Sequence, residues 1–142
     1  MPGVGERVFV DTNILVYAHD ASAGVKQEKA REVVLELWET GLGCVSVQVL
    51  QELYNAVTRK VPKPLARTEA QAILRDLAAW TVHAPTAEDV IQAIDIEERY
   101  SMSFWDAMIV RSAIQTRCTT ILSEDLAAGQ EYSGVLIVNP LA

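Results

Sequence analysis

Four carboxylates carry the chemical interest of this 142-residue chain: Asp11, Glu52, Asp106 and Asp125. Asp11 interrupts the apolar stretch VFVDTNIL, and Asp125 follows the apolar TTIL within three residues. Glu52 shares a helical face with Val49, Leu53 and Val57, and Asp106 heads the stripe of Ile109 and Val110, so periodicity turns both inward. Inward carboxylates are costly unless neutralised. Two like charges ~4 Å apart repel by about 4 kcal/mol at an effective dielectric near 20, more than helix N-termini relieve in a cluster of three or four. A hard divalent cation, Mg²⁺ or Mn²⁺, is what an all-oxygen donor set selects. Zinc is not indicated. His19 and His83 have no ligating spacing and read as structural or surface residues, and Cys44 and Cys118 lack a CxxC pattern and read as buried or inert thiols.

Each acid also has an ordinary use. Asp11 suits the N-cap of a helix, worth about 1 kcal/mol. Asp106 suits the third position of a capping box opened by Ser103, Asp125 suits a turn cap, and Glu52 suits a solvated helix surface. Position decides between the readings, because in open α/β sheets ligands bind beyond the carboxyl ends of the strands, where the following helices begin.

The elements that must supply those positions are legible. Residues 8–10 read as a short buried strand and 12–18 as a helix leaving its end. Ala30, Val33, Val34, Leu37 and Trp38 have amphipathic helix spacing, CVSV at 44–47 is β-prone, and a helix is expected over about 48–60. Ala70, Ile73, Leu74, Leu77 and Ala78 repeat the helical pattern, and an extended piece follows around Val82. Thr86 with Asp89 opens a helix to about Arg99, and Ser103 with Asp106 opens another. TTILS is then a buried strand, 123–134 a loop and VLIV the last strand. Strands alternating with helices predict a mostly parallel sheet covered on both faces.

Length and composition frame this as a single domain over residues 1–142: half the residues are apolar and 22% charged, enough for a real core. The longest apolar run, residues 14–18, is too short to cross a membrane, and MPGVGER lacks a signal-like stretch, so a cytoplasmic protein is expected. A net charge of −7 speaks against a nucleic-acid partner on average, yet Arg59, Lys60, Lys63 and Arg67 form an acid-free basic segment that suits either a phosphate contact or a solvated turn.

With its acids in this order, the chain resembles the PIN-domain ribonucleases, and more narrowly the VapC-like toxins of bacterial toxin–antitoxin pairs. VFVDTNILVYAHD, VQVLQELYN, SFWDAMIVRSA, TTILSEDLAAGQ and VLIVNP carry the likeness across nearly the whole chain. The resemblance implies a three-layer α/β fold with a five-stranded parallel sheet and the four acids gathered at one edge as ligands for Mg²⁺ or Mn²⁺. It also carries over Asn13 and Ser123 as groups that orient ligands or water. The SED stretch offers Glu124 as well as Asp125, and the resemblance, whose pattern has a serine two positions before the acid, implies Asp125. The activity implied is metal-dependent hydrolysis of RNA phosphodiester bonds, leaving 5′-phosphate and 3′-hydroxyl ends. A small antitoxin that blocks the site and a homodimer are implied with it. Tyr54 and Trp105 read first as core aromatics and second as stacking surfaces.

Three rivals share parts of the pattern. A haloacid-dehalogenase-like phosphatase also begins with an aspartate after a strand, but expects a second aspartate where Asn13 stands. A phosphorylated receiver domain has no use for Glu52. A non-catalytic PIN-like module that binds RNA or protein would not need the complete acidic set.

Overall fold

A computed structural model describes residues 5–142; the opening MPGV, part of the stretch read as lacking a signal sequence, lies outside them. In chain order the elements are β1 (Arg7–Val10), α1 (Thr12–Ala18), α2 (Val25–Thr40), β2 (Gly43–Ser46), α3 (Val47–Arg59), α4 (Arg67–Leu77), β3 (Thr81–His83), α5 (Ala87–Tyr100), α6 (Phe104–Gln115), β4 (Cys118–Leu122), β5 (Glu131–Tyr132) and β6 (Val135–Val138).

The sheet runs β3-β2-β1-β4-β6-β5. Its first five strands in that order are parallel, and β5 alone is antiparallel, to β6. The expected five strands are therefore joined by a sixth, inside the segment read as a loop. A two-residue turn explains it: Ser133 and Gly134 both have positive φ, as a tight hairpin between right-twisted strands requires. The central strands are nearly continuous apolar runs, and every β2 residue is buried, as expected of parallel strands covered on both faces.

The order of connections creates the site. From β1 the chain moves outward to β2 and β3, then crosses back through α5 and α6 to β4 on the other side of β1. With right-handed crossovers this puts α1–α4 on one face and α5–α6 on the other. The packing agrees: α1 meets α2 and α3, α3 meets α4, and α5 meets α6, which also lies on β2, β4 and β6. The direction reverses between β1 and β4, where a crevice opens at the strands' carboxyl ends. A hydrogen bond of 2.9 Å from the Asp11 amide to the Leu122 carbonyl ties those two ends together. Beneath them Phe9, Val10, Ile14, Leu15, Leu53, Ile121 and Leu122 form the core. Among the described residues, no helix is long and apolar enough to cross a membrane.

Candidate active site

The crevice is a cleft of about 520 Å³ lined by Asp11, Glu52, Asp106 and Asp125 together with Asn13, Lys60 and Trp105. Asp11 occupies the turn from β1 into α1 with extended backbone, and its Oδ1 accepts the Thr12 amide at 2.7 Å. Its capping use is thus real, but it occupies only one oxygen. Oδ2 accepts the Ser123 hydroxyl at 2.8 Å and the Asn13 Nδ2 at 3.3 Å.

Asn13 and Ser123 form the frame between β1 and β4. Asn13 Nδ2 also donates to Asp125 Oδ2 at 3.1 Å, while its Oδ1 accepts the Glu124 amide at 3.0 Å. Ser123 is fully buried, and its Oγ accepts the amides of Asp125 and Leu126 at 3.2 and 3.1 Å. Two side chains thereby set the relative positions of two carboxylates more than a hundred residues apart in the chain. Thr12, which no motif argument singled out, performs the same service for Glu52, donating from Oγ1 to Oε1 at 2.9 Å.

The inward reading of Glu52 and Asp106 needs correction. Glu52 and Asp125 are exposed, Asp106 is half-buried, and only Asp11 is buried. The cleft is open to solvent, so the rim carboxylates line it without being buried. The capping box expected at α6 is also only half-formed. Ser103 Oγ accepts the Asp106 amide at 3.1 Å, but the Asp106 carboxylate accepts no hydrogen bond among the described residues. At α5 the box closes fully, and the Asp89 carboxylate accepts the Thr86 amide at 2.8 Å. The contrast leaves Asp106 free toward the cleft.

Burial pushes the Asp11 carboxyl up to about 6; hydrogen bonds from Ser123 and Thr12 oppose this, and the charges of Glu52 and Asp106 add to it. No basic side chain pairs with any of the four acids among the described residues. Glu124 is different. Lys26 Nζ at 2.7 Å and the Tyr17 hydroxyl at 2.6 Å hold its carboxyl below the usual range. Glu124 is neutralised locally, whereas among the described residues the Asp125 carboxylate accepts only from Asn13.

The four acids line one cleft, yet no three His, Cys, Asp or Glu side chains among the described residues gather closely enough to hold a metal ion in their present positions. The donor chemistry still suits a hard divalent cation: carboxylate oxygens, a buried acid without a counter-charge, and neither histidine nor cysteine on the cleft wall. Cys44 and Cys118 are buried and free, and His83 is held between Ser112 and Asp89 away from the cleft lining.

Of the basic segment, only Lys60 lines the cleft. Arg59 turns to Asn55, Thr58 and the Tyr54 ring, while Lys63 and Arg67 are exposed. Tyr54 is half-buried against the core, but Trp105 is 63% exposed on the cleft rim, so its core reading is wrong.

Residues 8–128 match the family model described as PIN domain. The chain belongs to the PIN domain family. This PIN domain superposes on a toxin–antitoxin complex from Klebsiella pneumoniae with a TM-score of 0.70 and 17% identity, over 94% of this chain and 97% of that one. It is similar to VapC20 of Mycobacterium tuberculosis, a toxin that cleaves the sarcin–ricin loop (TM-score 0.65, 23% identity, 83% and 89% covered). It is also similar to DNA-bound VapBC from Salmonella typhimurium (TM-score 0.64, 18% identity, 93% and 96% covered). At these identities the likeness is one of fold. No curated protein sequence matches the chain significantly.

Proposed function

We propose that this PIN domain, acting as one domain over residues 1–142, is a metal-dependent endoribonuclease and the toxin of a toxin–antitoxin pair. The observation that carries the reading is Asp11: a buried carboxylate with no cationic partner among the described residues, framed by hydrogen bonds, its carboxyl raised by burial and further by the charges of Glu52 and Asp106. Asp11, Glu52, Asp106 and Asp125 are the residues that would hold Mg²⁺ or Mn²⁺. When bound, such a cation acidifies water and neutralises charge on a phosphodiester. Asn13 and Ser123 fix the Asp11 and Asp125 carboxylates, and Thr12 fixes Glu52, so that less reorganisation is needed on binding. Lys60 offers a positive charge to a phosphate on the acidic cleft wall.

Asn13 weakens the dehalogenase-like alternative further. Its amide is committed to Asp11, Asp125 and the Glu124 backbone, and an amide has no proton to exchange as a general acid. The antitoxin assignment is supported by the fold's likeness to proteins solved as toxin–antitoxin complexes. Four cleft carboxylates with no basic partner among the described residues suit a partner that inserts a basic side chain. For self-association the support is the exposed apolar face of Val90, Ile91 and Ile94 on α5.

The test is cleavage of total cellular RNA in Mn²⁺ by the parent, Asp11→Asn and Asp106→Asn proteins, with the product ends mapped. The parent is expected to leave 5′-phosphates, and both variants to lose at least 100-fold in rate while keeping the parent's circular dichroism. Variants that cut as fast as the parent would overturn the assignment. Absence of Mn²⁺ binding by calorimetry would favour the non-catalytic binding module.

A further inference from the structure

Trp105 is the most exposed aromatic side chain among the described residues. It is 63% exposed although large aromatics dominate cores, and it stands immediately before Asp106 on the rim of the acidic cleft. Two contacts hold it there. Phe104 packs against its ring edge-to-face, with centroids 5.1 Å apart and planes at 75°, which steadies the indole without covering it by stacking. From α3 on the other layer, Gln48 Nε2 donates to the Trp105 carbonyl at 3.2 Å. The Gln48 amide keeps that contact although its Oε1 is buried with no hydrogen-bond partner among the described residues. An unsatisfied acceptor calls for an explanation other than stability. Fixing the first turn of α6, and with it Trp105, supplies one.

We propose that Trp105 is a stacking platform for a nucleobase of the substrate, flanking the phosphate that the carboxylates address, and that Gln48 positions it. The inference rests on the nuclease reading and adds to it a residue that chooses substrate conformation. A base can lie on the indole only after leaving its own stack, so unpaired nucleotides are favoured over duplex. The lining argues for a nucleic acid here. Lys60, Asn13, Gln48 and Asn55 share the cleft with the indole and put a positive charge and side-chain amides, groups that can address phosphates and base edges, beside a ring on which a base can stack.

Two measurements test this with a short single-stranded RNA. The first is steady-state cleavage in Mn²⁺ by the parent, Trp105→Phe, Trp105→Ala and Gln48→Ala. Trp105→Ala is expected to raise KM about tenfold with kcat within about threefold, the size of one lost base–aromatic stack. Trp105→Phe should restore most of the affinity, and Gln48→Ala should raise KM by a smaller factor. The second is tryptophan fluorescence in the Asp11→Asn background, where RNA is expected to quench emission and Trp105→Phe, which keeps Trp38 and Trp80, to abolish the quench. If the parent cuts RNA while Trp105→Ala keeps the parent KM and the quench does not depend on Trp105, the platform is refuted and the nuclease stands. A Trp105→Ala variant that keeps the parent KM but changes sedimentation refutes it in favour of a protein-contact surface. If the parent cuts nothing but the quench needs Trp105, the nuclease reading falls and the platform survives as a binding site.

Discussion

Asp11 accepts hydrogen bonds from Thr12, Asn13 and Ser123, yet burial still lifts its carboxyl from an ordinary 3.8 to about 6. In metal-free protein the folded state therefore keeps a proton that the unfolded chain has lost, and stability falls as pH rises from about 4 to about 6. At about 1.4 kcal/mol per tenfold change in proton affinity, the loss is at most about 3 kcal/mol. Asp11→Asn is expected to flatten that fall in thermal melts run with a chelator from pH 4 to 7; parallel curves for parent and variant would refute the origin assigned to it. A second comparison concerns the neighbouring acids of the SED stretch. Glu124→Gln should keep the parent's thermal upshift with Mn²⁺, because Lys26 and Tyr17 already neutralise that carboxylate, whereas Asp106→Asn should lose most of it. At a free Mn²⁺ concentration 100 times the Kd the upshift corresponds to about 2.7 kcal/mol, readable by differential scanning fluorimetry. Asp11 and Asp125 stand out in the sequence by their places after apolar strands, whereas Asn13 and Ser123 come only from the resemblance of the DTN and SED stretches to the PIN-domain pattern. What separates Glu124 from its neighbour was not legible there, because Tyr17 and Lys26 reach it from 107 and 98 positions away. Trp105 was misread for a similar reason: helical phase cannot tell whether a first-turn residue still has a layer to lie on.

Helices and strands were legible wherever burial is periodic or continuous, and least so where a turn alone makes the element. β6 was legible as the apolar run VLIV, but β5 depends on the turn at Ser133 and Gly134 rather than on any apolar pattern, and the Ser-Gly dipeptide was the available signal. The two capping boxes looked alike in sequence and differ because Asp89 has partners that Asp106 lacks. Asp89 is buried, which pushes its carboxyl up, but the Thr86 amide, Arg111 at 2.9 Å, the Thr86 hydroxyl and His83 outweigh this and hold it below 3.8. That network joins β3, α5 and α6, the layer whose last helix carries Asp106. A depressed carboxyl stabilises the fold above its unfolded pKa and loses that contribution as pH falls through and below it, so acid unfolding should steepen below about pH 4. Removing the cation at neutral pH leaves a buried charge short of a partner. Arg111→Met is expected to cost about 3 kcal/mol in urea denaturation, and Asp89→Asn with Arg111→Met to cost less than the two single changes together. Additivity within about 0.5 kcal/mol would show that the pair does not couple α5 to α6.

The whole molecule carries a net charge of −7, so the proposed affinity for RNA would have to come from the cleft and not from the average surface. On the nuclease reading, metal held by the carboxylates would remove the local repulsion, and what then sets the affinity is how many lysines and arginines touch phosphate. Sequence suggested four in a row, Arg59, Lys60, Lys63 and Arg67, but chain proximity is not cleft proximity. Helix α3 ends at Arg59, Val61 and Pro62 continue along the cleft wall, and Lys63 and Arg67 beyond them are exposed and outside its lining, while Arg59 is drawn back to Tyr54, Thr58 and Asn55. Each phosphate neutralised on a single strand contributes about −0.7 to the slope of log K against log salt. A cleft that uses Lys60 alone predicts a slope near −0.7 from its side chains, against about −2.8 for the full basic run. Filter binding of single-stranded RNA to the Asp11→Asn protein, at fixed Mg²⁺ and varied potassium chloride, distinguishes the two. The shallow slope is expected, with Lys60→Gln bringing it close to zero and Lys63→Gln leaving it unchanged. A steep slope that falls equally with either substitution would mean that the whole segment tracks the backbone, and the path of the strand would then run over α3 and α4 and not across the rim at Trp105.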